Sequence, residues 1–182
     1  MNIIKTELED VLILEPKVFQ DDRGYFFESF NENKFKKLIG DIQFVQDNES
    51  KSTYGVIRGL HFQKPPYAQA KLVRAVVGSV LDVVVDLRSN SLTYGQHITV
   101  LLSEENKRQL YIPRGFAHGF SVLSPEAVFQ YKCDNYYAPN SEGSLIWNDK
   151  TLNINWEIPI NDAIISEKDS QASVFSTFRT PF

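Results

Sequence analysis

Cysteine is nearly absent from this chain: Cys133 is the only one in 182 residues. An internal disulfide is therefore excluded, and one thiol fits a reducing compartment, so the cytoplasm is the expected location. Basic residues are in deficit, with 19 Lys and Arg against 23 Asp and Glu and a net charge of -4. That balance excludes the broad basic face that a nucleic-acid polymer requires. A local arginine cluster can still hold one diphosphate on an acidic protein. No apolar run approaches the roughly 20 residues of a membrane span. The opening Met1-Asn2-Ile3-Ile4-Lys5 lacks a signal-peptide core, so no membrane partner is expected. Histidine occurs only at positions 61, 97 and 118.

What is present is an ordinary globular balance, 42% hydrophobic and 23% charged, which argues against disorder. With no repeat, low-complexity stretch or linker, residues 1–182 read as a single domain. The 13 Phe and 8 Tyr, interleaved with β-branched residues, favour strands. Residues 11–14 before Pro16 read as an edge strand, and Gly24 to Phe30 as a second strand after the turn at Asp21 to Gly24. Asn31 to Ile39 reads as a helix with Phe35, Leu38 and Ile39 on one face and Gly40 as its stop. Segments 42–47, 55–63, 70–77, 79–88, 96–103, 107–112, 117–123 and 127–134 are each strand-like, a rhythm typical of a sandwich or barrel. Leu81, Val83, Val85 and Leu87 should face a core. The opposite face mixes Val80, Val84, Asp82, Asp86 and Arg88, the character of a ligand-holding barrel wall. Around Ser166 a short helix is expected, capped by Ser166 with Asp169 completing a capping-box-like pattern.

Three segments carry chemistry. The first, GVIRGLHFQ (55–63) with KLVR (71–74), gathers Arg58, His61, Lys71 and Arg74. Strict alternation would send Arg58 and His61 to opposite faces, but Gly59 offers a bulge. The plainer reading is a solvated strand end with a structural histidine. The second is PRGFAHGF (113–120), whose P-x-G-x-x-H spacing matches the second signature of cupin barrels; its plainer reading is a turn before a strand with His118 in the core. A metal-binding cupin brings an H-x-H pair. Here the matching residues are His61-Phe62-Gln63, and no sequence feature brings His61 and His118 together, so no metal is expected. The third segment is FQYKCDNYYAP (129–139). Phe129, Tyr131 and Cys133 share one face, which puts Tyr131 on the apolar side in need of a partner for its hydroxyl.

Together with DRGYFFE (22–28), PPYAQAKLVR, GSVLDVVVDLR, WND and SEKD, these strings resemble the dTDP-4-dehydrorhamnose 3,5-epimerase family over nearly the whole chain, in the expected order. The resemblance implies an all-β, cupin-like jelly-roll β-barrel with a few short peripheral helices, acting as a homodimer without metal or cofactor. It implies a dTDP-linked 4-keto-6-deoxy sugar as substrate, inverted at C3 and C5. By the same resemblance His61 is the base, Asp169 its orienting partner, Tyr131 the acid and Lys71 the stabiliser of the enolate. Arg23, Phe26, Glu28, Gln46, Asn48, Arg58, Asp82, His118, Glu142 and Lys168 are expected to line the substrate site, and Tyr137 to stack on thymine. The physical chemistry agrees. A ketone at C4 acidifies both neighbouring C–H bonds, an imidazole suits their removal near neutral pH, and a cation meets the developing oxyanion. Epimerases acting at C3 or C5 alone, a metal-dependent cupin oxygenase and a non-catalytic sugar-binding cupin are the competing readings.

Overall fold

Period-two alternation broken by turn residues gives a chain dominated by strands. The computed structural model describes residues 1–182. Its strands are β1 (Asn2–Lys5), β2 (Leu12–Glu15), β3 (Phe19–Asp21), β4 (Gly24–Phe26), β5 (Gln46–Thr53), β6 (Val56–Gln63), β7 (Lys71–Val77), β8 (Ser79–Asp86), β9 (His97–Ser103), β10 (Gln109–Ile112), β11 (Phe116–Val122), β12 (Glu126–Cys133), β13 (Glu142–Ser144) and β14 (Ile164–Ile165). The two α-helices are α1 (Glu32–Ile39) and α2 (Glu167–Ser170). One sheet has the order β1-β2-β10-β7-β12-β5, and the other β13-β6-β11-β8-β9 with β14 alongside β6. The two pack face to face as a jelly-roll barrel. No helix is long and apolar enough to cross a membrane.

The interior is filled from both sheets. Val73, Leu110, Ile112 and Phe129 from the first meet Val80, Val84, Phe116 and Phe120 from the second. Phe120 and Phe129 stack at 4.3 Å between centroids. Leu81, Val83, Val85 and Leu87 are buried as expected, but on the outer side of the second sheet, where Leu145, Leu152, Trp156 and the C-terminal phenylalanines pack with Val83, Val85 and Leu87. The interior-facing set is Val80, Asp82 and Val84. The outer side of the first sheet is covered by α1 through Phe35, with Phe30 and Phe44 against it. Asn31 caps α1 by accepting from the Lys34 N–H, and Gly40 ends it at a φ of 96°.

Four expectations need correction. β2 is not an edge: it lies between β10 and β1, the strand that the sequence reading passed over. The strand at Gly24 stops at Phe26 and pairs only with β3; Phe30 belongs to the core beneath α1. The strand expected at 42–47 begins at Gln46 and runs to Thr53, because its polar residues pair along the whole of β12. Ser166 does cap α2, but the Asp169 carboxylate turns to His61 rather than completing a capping box.

Candidate active site

The site starts from an irregularity in β6. Its register against β11 shifts between Phe120↔Arg58 and His118↔His61, so Gly59 and Leu60 together face Gly119. Gly59 has a φ of 118°, and a Cβ there would sit 2.6 Å from the Gly119 Cα. Only two bare backbones can approach this closely. The bulge puts Arg58 and His61 on one side of the strand.

His61 Nε2 lies 2.6 Å from Asp169 Oδ1. Asp169 is buried and arrives from the far end of the chain. Ile164 and Ile165 pair in parallel with β6, and the next residues turn into α2 over His61. Burial pushes the Asp169 carboxyl up, but the His61 contact and the Gly59 and Ser166 hydrogen bonds outweigh it and hold it below the ordinary aspartate value. A carboxylate only accepts, so His61 Nε2 carries the proton and Nδ1 keeps the lone pair.

A cavity of about 200 Å3 opens in front of this pair. Lys71, Tyr131, Asn48 and Gln46 enter it from the first sheet, opposite His61 from the second. The Lys71 ammonium lies 5.7 Å from the Tyr131 ring centroid. Burial lowers the pKa of Lys71 and raises that of Tyr131, which therefore stays a phenol at neutral pH. A larger groove of about 700 Å3 between residues 5–12 and the end of α1 holds no comparable acid–base set.

The rim is braced. Glu142 accepts from Tyr137 Oη at 3.2 Å and from Lys168 Nζ at 2.5 Å, a contact that raises the Lys168 pKa. Gln46 Oε1 accepts from the Tyr137 N–H. Gln63, at the position of the second histidine of a metal cupin, is fully spent: it donates to the Tyr67 and Tyr136 carbonyls and accepts from the Ala138 N–H. It thereby fixes the loop bearing Tyr137. The sequence reading weighed Gln63 only as a failed metal ligand. It also missed Gln69, which lines the cavity, and Ser52, whose Oγ accepts from Arg58 Nε at 3.1 Å. These roles depend on cross-strand partners that no linear pattern announces.

His61 and His118 do converge, as direct cross-strand partners, but each turns its Nε2 to its own carboxylate. No three His, Cys, Asp or Glu side chains gather as metal ligands. Asp82 and His118 do not line the cavity as expected; both are buried beneath it, with His118 Nε2 at 2.9 and 3.1 Å from the two Asp82 oxygens. Arg58 and Lys168 are not among its lining residues either, Lys168 reaching it only through Glu142, and Arg23, Phe26 and Glu28 lie outside it. Arg23 pairs with Asp21 and its side chain is 89% exposed, Phe26 is 70% exposed, and Glu28 binds Lys34 and Asn31. The β3–β4 hairpin that carries Arg23 and Phe26 joins neither main sheet, so nothing within one chain folds it over the cavity.

A base with an oriented lone pair, a partly buried phenol in the opposite sheet and a cation beside it can remove a proton from carbon on one face and replace it on the other. Comparison with known proteins supports this chemistry. The family model described as dTDP-4-dehydrorhamnose 3,5-epimerase matches residues 5–177. The Shigella flexneri protein of that name is 57% identical over 176 residues, 96% of each chain. The crystal structure of dTDP-4-dehydrorhamnose 3,5-epimerase from Elizabethkingia anophelis superposes with a TM-score of 0.93 at 58% identity, covering 97% of each chain. That of the Legionella pneumophila dTDP-6-deoxy-D-glucose-3,5-epimerase in complex with dTDP-4-keto-L-rhamnose gives 0.94 at 47% identity, covering 98% of this chain and 94% of the other.

Proposed function

This chain belongs to the dTDP-4-dehydrorhamnose 3,5-epimerase family, and from that premise we propose that its His61 pocket performs both inversions on dTDP-4-dehydro-6-deoxy-D-glucose. The protein is an isomerase. The observation that carries the mechanism is the His61–Asp169 contact at 2.6 Å, facing Tyr131 and Lys71 across one cavity.

His61 Nδ1 takes the proton from the carbon next to the C4 ketone. The C–H electron pair moves into the ring, and the carbonyl π electrons move onto the C4 oxygen. Lys71 stabilises that enolate in a pocket where water competes poorly. Tyr131 Oη then gives its proton to the opposite face of the same carbon, and solvent restores both side chains. The cycle repeats at the other carbon. Asp169 holds the tautomer and stabilises the imidazolium formed in each round. Burial keeps Tyr131 protonated and ready to donate. Gln46, Asn48, Arg58, Glu142 and Lys168 bind the nucleotide-sugar, Arg58 serving the diphosphate, and Tyr137 stacks on thymine. None of these steps calls on a metal or an organic cofactor.

The chain works as a two-fold symmetric dimer, in which the partner's Arg23, Phe26 and Glu28 complete the nucleotide end of the pocket. The unpartnered hairpin with its exposed phenylalanines supports this reading. The test of function is turnover of the dTDP-4-keto sugar in deuterated water, followed by NMR. Deuterium at both C3 and C5 of an inverted product is the expected result. Deuterium at one position alone would reduce the activity to single epimerisation, and none at either would remove it.

A further inference from the structure

Asp82 is a carboxylate in the barrel interior that the mechanism above leaves without work. It is fully buried on β8, with both oxygens on His118 Nε2. His118 is held in turn by stacking on Phe129, 6.1 Å between centroids. Lys71 projects into the same interior from the opposite sheet: Lys71 pairs with Ile112 and Cys133, whose side chains face inward, and Asp82 lies between the inward-facing Val80 and Val84. Several titratable groups surround Lys71. Glu142 is already bound to Lys168 and Tyr137. Burial pushes the Cys133 thiol up to about 11, so it is neutral. Tyr131 is a phenol, and His61 is committed to Asp169. His118 is held neutral by burial, its largest influence. A desolvated ammonium needs a nearby negative charge to persist, and Asp82 remains to supply it.

We propose that Asp82 is a positioning residue for epimerisation, its carboxylate locked on His118 beneath the pocket as the fixed counter-charge of the Lys71 ammonium. The inference rests on the enolate mechanism above. It assigns Asp82 no contact with substrate: the residue acts through Lys71. Burial is the largest influence on the Asp82 carboxyl and leaves its pKa raised, while the contacts with His118 and Lys71 act in the opposite direction and favour the ionised form. The coupling is reciprocal, so each group should register the loss of the other.

The test is Asp82→Asn, which keeps the shape and an acceptor for His118 but removes the charge. As for other outer-shell partners, a loss of roughly 10- to 100-fold in kcat is expected, with KM little changed. The alkaline limb of the kcat profile should move to lower pH, because Lys71 then loses its proton earlier. Asp82→Asn in a Lys71→Ala background should cost nothing further, whereas a merely structural defect would add its full cost. A second measurement does not depend on folding of the Asp82 variant. Lys71→Met should raise the pH at which the His118 imidazole titrates, followed by NMR, since Lys71 disfavours a proton there. An unmoved alkaline limb in Asp82→Asn, additive losses, or an unmoved His118 titration in Lys71→Met overturns the proposal. Wild-type turnover measured in parallel separates this failure from failure of the epimerase reading, which would show as no turnover at all.

Discussion

His61 and Asp169 stand 108 residues apart in the chain and meet at 2.6 Å. β6 supplies the histidine through a glycine bulge, and β14 lays α2 across the same strand. In the proposed mechanism this contact aims one nitrogen lone pair into the cavity.

That geometry separates the roles of base and acid. His61→Ala should abolish both inversion and solvent exchange at C3 and C5, a loss of about 100- to 10,000-fold. Tyr131→Phe removes only the hydroxyl, so His61 can still take a proton off and return it to the same face. Deuterium exchange without matching inversion is the expected result, read by NMR. Asp169→Asn should fall between wild type and His61→Ala. Wild-type inversion by Tyr131→Phe would dismiss Tyr131 as the acid.

Tyr137 stands at the rim, half of its surface exposed, on a loop fixed by Gln63 and Gln46. One stacked base is worth roughly 1–3 kcal/mol. Tyr137→Ala should therefore weaken dTDP binding by about 5- to 150-fold in calorimetry, with the melting temperature nearly unchanged. Unaltered affinity would remove Tyr137 from the nucleotide site.

The β3–β4 hairpin bears on assembly. Phe19, Tyr25 and Phe26 are exposed on it, an apolar surface that a free monomer would leave in water. Light scattering should give twice the chain mass at micromolar concentration. Phe26→Asp should weaken association and raise KM for the nucleotide-sugar together. A stable monomer with full activity would contradict this.

Asp86 makes an acid-stability prediction. Its buried carboxylate accepts from Arg88, Ser91 and Thr93. Burial pushes its pKa up, but those hydrogen bonds prevail and bring it down to about 2. A depressed folded-state value means stability that is present above the unfolded pKa, near 3.8, and lost as pH falls through about 2. The shift corresponds to roughly 2 kcal/mol, at 1.36 kcal/mol per unit. Asp86→Asn should lower unfolding free energy by about that amount at pH 7, with the deficit shrinking toward pH 2. A deficit independent of pH, in urea unfolding, would refute the electrostatic origin.

The sequence by itself determined the strand-rich class, because alternation and turn residues act locally and need no partner to be read. It determined α1, with Asn31 and Gly40 at its ends, and singled out His61, Lys71 and Tyr131 through segments dense in chemistry. Tertiary structure alone decided what depends on pairing across distance: that β2 lies inside its sheet and that Gln63 braces a loop. The contact of Asp169 with His61, implied by the family resemblance, has no local signal in the chain and is formed only by the fold. The fold also decided that Asp82 and His118 lie beneath the cavity instead of lining it, and that the residue 23–28 segment stays apart from it. Local propensity is set by near neighbours, whereas a side chain's partner is set by register and by sheet-on-sheet packing. One residue of slip reverses every inward and outward assignment, so the bulge that Gly59 allows, fixed only when β11 is laid against β6, decides which face His61 serves.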